Sequence, residues 1–142
     1  MRSDSLREKP KQTARIIAGI LAVLVAAAIF VMSSIPASGY PSHPDSLNVV
    51  AHFGAYFVLA SLLAIALNAP KRKLWIAALM AIIIASLYGA SDEIHQYFVP
   101  TRNCDPIDWV VDTLGAFFGA AITVWMISAR TVKRSRSRDR VL

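Results

Sequence analysis

Long uncharged apolar runs alternate with short polar islands along this chain, and the runs predict four membrane-spanning helices. Each run is close to the ~20 residues that cross a ~30 Å hydrocarbon core. The predicted spans are residues 16–35, 49–69, 74–98 and 109–129. The first is free of charge, whereas His52 interrupts the second and Asp112 lies in the fourth. We therefore expect an all-α polytopic membrane protein whose four-helix domain covers residues 16–129.

Composition supports a membrane protein over a soluble helical bundle. Hydrophobic residues make up 56% of the chain and charged residues only 17%, so whole helical circumferences are apolar. Cys104 is the only cysteine, which excludes an internal disulfide and a cysteine-based zinc cluster.

The basic residues collect at the tails and in one connection, which predicts the orientation of the chain. Residues 1–15 carry five lysines and arginines, residues 71–73 carry three, and residues 130–142 carry six. The other two connections carry only Arg102. Lysine and arginine mark cytoplasmic loops, so 1–15 and 130–142 are predicted to be cytoplasmic tails. The net charge of +6 is thereby explained by topology, and no nucleic-acid partner is expected.

Polar residues of three spans are predicted to reach one depth, at the outer boundary of the membrane. Eighteen uncharged residues precede Asp92 from Leu74 onward, which is ~27 Å of helix. The second and fourth spans are entered from the same outer side. The residues at this depth are Asp92, Glu93, His95 and Gln96 on the third span, His52 on the second, and Asp108 and Asp112 on the fourth. Ionisable residues within membrane segments are candidates for function.

Spacing of three and four residues sorts these groups onto helix faces. The faces are Tyr88, Asp92, His95 and Gln96; Asp105, Asp108 and Asp112; and His52 with Tyr56. Glu93 lies about 100° round the helix from Asp92, and we expect it to be solvated. A structural network that ties Arg102 to the carboxylates is an alternative explanation for the polar groups.

The fourth span contains "GAFFG", a pattern with small residues at Gly115 and Gly119 that lets helices approach closely. We expect this packing to hold Asp112 against the third span. The same two glycines are a candidate surface for a homo-oligomer.

Four stretches resemble the VanZ-like family of small bacterial membrane proteins. They are "SSIP" at 33–36, "HFGAYFVLASLL" at 52–63, "SDEIHQYFVPTR" at 91–102 and "DWVVDTLGAFFGA" at 108–120. The chain departs from the family pattern at Thr101, where glycine often precedes the arginine. The resemblance implies a multi-pass protein of the bacterial cytoplasmic membrane and cell envelope. One namesake of the family is associated with resistance to the glycopeptide teicoplanin.

Three hypotheses of function fit these residues, and the first is a binding site on the extracytoplasmic side. Its partner would be a membrane lipid, a lipid-linked cell-wall precursor or an amphiphilic antibiotic. Arg102 would contact phosphate, and Asp92, His95 and Asp112 would orient the ligand. The further candidate ligand-binding residues are Gln96, Asp108 and Tyr56.

The second hypothesis is a membrane enzyme, and the third is a metal site. As a hydrolase or transferase, the protein would use His95 or His52 as general base and Asp92 or Glu93 as acid. No serine nucleophile motif is present, so water or a substrate hydroxyl would attack. No cofactor is expected in the binding hypothesis. A divalent metal is the alternative, with candidate zinc or manganese ligands His52, Asp92, His95 and Asp112.

Overall fold

Four α-helices make up the part of the chain that the structure describes. A computed structural model describes the backbone of residues 2–36, 45–70 and 72–139, and the side chains of 11–36, 46–70 and 72–133. The helices are α1 Arg2–Ser33, α2 Asp45–Leu67, α3 Leu74–Tyr97 and α4 Pro106–Asp139. Each contains a segment long and apolar enough to cross a membrane: Lys11–Ser33, Ser46–Leu67, Leu74–Tyr97 and Pro106–Lys133. The predicted all-α class with four such helices is confirmed.

The first and last helices extend beyond the apolar runs into the basic tails. Lysine and arginine are good helix formers, so a helix need not stop where its apolar run ends. At its start, α4 also begins earlier than the predicted span. Pro106 occupies its first position, and the carboxylate of Asp105 accepts a hydrogen bond of 2.8 Å from the Ile107 N–H. Aspartate before proline is a favourable helix start, because the side chain satisfies an N–H that lacks a helical partner.

The helices pack through small residues and turn their large apolar side chains outward. The fully buried alanines are Ala60, Ala64, Ala77, Ala81, Ala85, Ala116 and Ala120. By contrast, Val23, Trp75, Leu87 and Trp125 are each at least 60% exposed. Such an apolar surface is unfavourable in water but natural in lipid, where helix association depends on close packing of small residues. The arrangement is that of a multi-pass membrane protein.

Helix α2 packs against all three other helices, and it runs parallel to α4. Gly115 lies against the backbone carbonyl of Phe53, and Gly119 lies against that of Phe57. The same step of four residues on both helices means that they run in one direction. A Cβ atom at either glycine would overlap the α2 backbone.

Asp112 does lie against the third span, as predicted, because a Cβ at Gly89 of α3 would be 3.2 Å from its Oδ2. The two glycines themselves pack against α2. Helix α3 contacts the neighbouring face of α4, where the hydroxyls of Ser86 and Thr113 lie 2.8 Å apart. The glycines lie on the face turned to α2. The homo-oligomer predicted through Gly115 and Gly119 stays a prediction, although α2 covers both glycines within one chain.

The starts of α2 and α4 and the ends of α1 and α3 lie together, and we call this the polar end. His52 near the start of α2 contacts Asp112 near the start of α4. Ser33 at the end of α1 bonds Asp92 near the end of α3. The opposite end carries Arg15, Arg72 and Arg130, and we call it the basic end.

Candidate functional site at the polar end

An imidazole and two carboxylates of different helices meet at the centre of the polar end. His52 Nδ1 lies 3.0 Å from Asp112 Oδ1, and its Nε2 lies 3.9 Å from Asp108 Oδ2. One ligand atom each of His52, Glu93 and Asp112 lies within 4.8 Å of the others. We call His52, Glu93, Asp108 and Asp112 the imidazole cluster. If Nδ1 donates to Asp112, Nε2 is left as an acceptor or metal ligand on the side of Asp108.

The parallel packing of α2 and α4 explains why these residues meet. Contact between the Gly115 and Phe53 backbones brings the two helix starts close together. Asn48 and His52 then lie one turn apart opposite Asp108 and Asp112. Asn48 Nδ2 donates to Asp108 Oδ2 at 3.4 Å. Two successive turns of α2 therefore contact two successive turns of α4 through polar side chains.

Glu93 belongs to the imidazole cluster and is not solvated, so that prediction was wrong. Only 3% of its surface is exposed, and its Oε2 accepts a 2.8 Å hydrogen bond from the Asp105 N–H. The connection between α3 and α4 folds back over this side of α3 and covers it. Gly89, one turn earlier on the same face, is buried as well. The face of α3 that carries Asp92 is therefore buried against α1, and the face that carries Glu93 is buried against α2 and α4.

Asp92 and His95 face α1 and form a second group, which we call the serine cluster. Ser33 Oγ and Gln96 Nε2 both donate to Asp92 Oδ2, at 2.7 and 3.1 Å. Ser34 Oγ lies 3.0 Å from His95 Nε2. The His95 ring also stacks on Phe30, with centroids 4.6 Å apart. The aromatic and hydroxyl contacts of α1 fix the position of this imidazole.

The structure thus divides the four predicted metal ligands between the two clusters. His52 and Asp112 lie together, whereas Asp92 and His95 make their hydrogen bonds on the α1 side. Glu93 completes the group of three donors in their place. Two adjacent carboxylates of α3 serve different clusters because they are about 100° apart on the helix.

Tyr56 and Gly89 form the inner boundary of the imidazole cluster. Tyr56 lies one helical turn after His52 on α2, and only 1% of its surface is exposed. A Cβ at Gly89 would lie 3.2 Å from Asp112 Oδ2 and 3.3 Å from Tyr56 Cε1, so glycine makes room for both side chains. Tyr88 is directed elsewhere, since its hydroxyl donates to the Ala26 carbonyl of α1 at 2.7 Å.

Arg102 contacts the end of α1. Its Nε and Nη2 donate to the carbonyls of Ile35 and Met32, both at 3.1 Å. A helix leaves its last carbonyls without helical partners, and a guanidinium there stabilises them by hydrogen bonding and by charge. The preceding Thr101 has φ 64°, a backbone conformation that favours glycine. This conformation explains why glycine often precedes the arginine in the family that the sequence resembles.

Four buried polar atoms at the polar end have no hydrogen-bond partner among the residues that the structure describes. They are Tyr56 Oη, Asp92 Oδ1, Glu93 Oε1 and Asp112 Oδ2. Leaving a buried polar atom unsatisfied costs about 1–3 kcal/mol, so a water molecule, an ion or a polar ligand at these atoms would be stabilising.

Sequence reasoning named most of these residues but missed Asn48, Ser33, Ser34 and Gly89 as parts of the site. The two serines stand at the end of an otherwise apolar span, which is the signal that could have singled them out. For Gly89 the signal is its spacing, because it lies four residues before Glu93 and therefore on the same helix face.

A family model described as VanZ/LLP1 matches residues 12–127 of the chain. No curated protein and no solved structure matches it. The matched range includes every residue of the imidazole cluster and the serine cluster.

Proposed function

Since the chain belongs to the VanZ/LLP1 family, we propose that it is a cell-envelope protein whose polar end binds the head of an amphiphilic molecule. The single observation that carries this proposal is the set of unpartnered buried atoms of Tyr56, Asp92, Glu93 and Asp112. They belong to helices whose outer surface suits lipid. A ligand with an apolar tail and a polar head fits both environments.

The chemistry of these atoms defines the head of the ligand. Three of them are carboxyl oxygens, which accept hydrogen bonds when ionised, and the fourth is a phenol. A complementary head is rich in donors such as amines, hydroxyls and amide N–H groups. Lipid headgroups with an amine, sugar- or peptide-bearing cell-wall precursors and amphiphilic glycopeptides all meet this description. The association of a family namesake with teicoplanin resistance makes a glycopeptide one probe to use.

A head that carries only phosphate fits less well, because it would meet carboxylates of the same sign. The guanidinium of Arg102 is engaged with the end of α1. The sequence predicts that Arg102 contacts phosphate. We propose instead that Arg102 holds the end of α1, so that Ser33 and Ser34 lie beside Asp92 and His95.

Ligand binding to the purified protein in detergent tests the proposal. The probes are teicoplanin, a lipid-linked cell-wall precursor and phosphatidylethanolamine. Asp112→Asn and Asp92→Asn keep side-chain shape and one acceptor oxygen but remove the charge. We expect each variant to weaken binding by about 10- to 100-fold, because hydrogen bonds to charged groups contribute about 1.5–3 kcal/mol.

Ser91→Ala is the matched control. Ser91 is exposed on the same end of α3 and bonds only the Tyr88 carbonyl of its own helix in the described structure. Its variant should bind like the wild type. The proposal fails if none of the probes binds, or if the aspartate variants bind like the control.

The second candidate function is that of a metal-dependent hydrolase or transferase. The short distances between the ligand atoms of His52, Glu93 and Asp112 favour it. One imidazole and two carboxylates are donors that zinc or manganese accepts, and their two negative charges would balance a divalent cation. Such a cation would polarise a substrate and lower the free-energy cost of ionising water. His52 and Asp112 would hold it, with Glu93 as the third donor.

Metal analysis of the protein purified without chelator separates this candidate from simple binding. We expect about one equivalent of metal in the wild type and in Asp92→Asn, and a loss in Glu93→Gln. Asp92 is the matched control because it is an equally buried neighbour on α3 that belongs to the serine cluster. Metal-free wild-type protein would remove this candidate and leave the binding proposal standing.

A further inference from the structure

The basic end contains an open cavity of about 940 Å³ between α1, α2 and α4. Four cationic side chains from two helices and one connection line it: Lys11, Arg15, Arg72 and Arg130. The lining residues, all within the described part of the chain, include no acidic side chain. Ligand sites in proteins commonly have volumes of about 300–1,000 Å³.

Two of the guanidiniums are oriented by the end of α2. Arg15 Nε donates to the Ala66 carbonyl at 3.3 Å, and Arg72 Nη1 donates to the Leu67 carbonyl at 2.8 Å. An arginine carries five N–H donors, so each keeps further donors after this contact. The helix end thus holds two planar cations in place beside the cavity.

A general excess of lysine and arginine at a cytoplasmic boundary does not require such an arrangement. Lys73 and Lys133 contribute charge at the same end but do not line the cavity. The neutral side chain of Asn68 does line it and adds hydrogen-bond donors, whereas the Thr131 hydroxyl donates to the Ile127 carbonyl of its own helix at 2.9 Å. The cavity therefore combines guanidinium groups, which bind phosphate through paired N–H donors, with a neutral amide donor.

Apolar side chains form the rest of the wall. They are contributed by Ile16, Ile65, Leu74 and Ile127. A free phosphate would leave these surfaces unused, whereas the glycerol and first acyl carbons of a lipid would cover them. Basic pockets between membrane helices are known sites for anionic lipid headgroups.

We propose that this cavity binds an anionic phospholipid, with the phosphate among Lys11, Arg15, Arg72 and Arg130. The site is independent of the proposed function of the polar end. Bound lipid would link α1, α2 and α4 at the end where the charges would otherwise repel one another.

The test measures lipid binding to the full chain in detergent by native mass spectrometry, with phosphatidylglycerol, phosphatidylcholine and inorganic phosphate as probes. Phosphatidylglycerol should bind at least about tenfold more tightly than phosphatidylcholine, because each basic side chain near a lipid surface contributes roughly 1 kcal/mol, about fivefold in affinity. Inorganic phosphate should not displace it. Displacement by phosphate, or equal binding of both lipids, would overturn the proposal.

Two double variants separate the cavity from general surface charge. Lys11→Gln with Arg130→Gln should remove the preference for phosphatidylglycerol. Lys73→Gln with Lys133→Gln removes the same charge from the same end and should keep it. An equal loss of the preference for phosphatidylglycerol in both double variants would show that charge alone, and not the cavity, attracts the lipid.

A wild-type measurement keeps the proposal testable if the first variant does not fold. Phosphatidylglycerol with a photoreactive headgroup should label residues 11–16 and 127–131 above residues 46–52 of the polar end. Equal labelling of the two ends would contradict the site.

Discussion

Asp92 and Glu93 are adjacent, equally buried carboxylates with different partners. Asp92 accepts hydrogen bonds from Ser33 and Gln96, whereas Glu93 accepts one from the Asp105 backbone and lies beside His52. Glu93 therefore both anchors the α3–α4 connection and contributes charge to the imidazole cluster. Substitution can separate these two roles.

Glu93→Ala should lower the free energy of unfolding by about 1–3 kcal/mol, because the Asp105 N–H loses its acceptor. Glu93→Gln keeps an oxygen at the same distance from the backbone and should cost less than about 1 kcal/mol. Thermal unfolding in detergent measures both, with Ser91→Ala as a neutral control. Equal destabilisation by alanine and glutamine would mean that the charge of Glu93, and not its hydrogen bond, stabilises the connection.

At this scale the sequence predicted which residues lie near one end of the helices but not which of them touch. Depth follows from counting residues along a helix, so Asp92, Glu93 and His95 could be placed near one end. Contact depends on how each helix is rotated about its axis, and large apolar residues on every side of α3 obscure that rotation. The small residues Ala81, Ala85 and Gly89, spaced by four before Glu93, mark the buried face. The prediction that Glu93 is solvated was wrong because it did not use this spacing.

Among the helices, the pair formed by α2 and α4 determines the geometry of the imidazole cluster. Backbone contact at Gly115 and Gly119 allows His52 to reach Asp112. The sequence predicted close packing from the two glycines, since only small residues permit it. It did not predict the partner helix, because any apolar helix can lie against a glycine face.

Gly115→Ala and Gly119→Ala should each lower the free energy of unfolding by about 1–3 kcal/mol, since the new methyl group would overlap the α2 backbone. Gly54→Ala is the matched control within α2. Its Cβ would have no atom within 4 Å, and alanine favours a helix interior over glycine by roughly 0.5–1 kcal/mol. Thermal unfolding in detergent should therefore show lower stability for Gly115→Ala and Gly119→Ala and slightly higher stability for Gly54→Ala. A tolerated methyl at both Gly115 and Gly119 would contradict the close contact.

Across the whole molecule, polar and basic groups occupy opposite ends of the helical bundle. The four spans were predictable because an apolar run of about 20 residues has few other stable structures. The shared location of the starts of α2 and α4 is confirmed by their parallel packing. Which end faces the cytoplasm stays a prediction from the lysine and arginine distribution.

Cys104 provides a direct test of orientation, because it is exposed in the connection between α3 and α4. A membrane-impermeant maleimide should label it in intact cells whose outer barrier has been opened. Lys73→Cys in a Cys104→Ser background places the thiol at the basic end and should react only after lysis. The reverse labelling pattern would show that the predicted orientation is wrong.

The glycine contacts between α2 and α4 also have a mechanical consequence. Side chains can change rotamer and let two helices slide, but backbone atoms in direct contact have no rotamer to change. The α2–α4 pair should therefore move as a rigid body and act as the fixed wall of the polar end. Any opening that admits a bulky headgroup must then come from displacement of α1 or α3, whose contacts at this end include hydroxyl and guanidinium hydrogen bonds that can break and re-form.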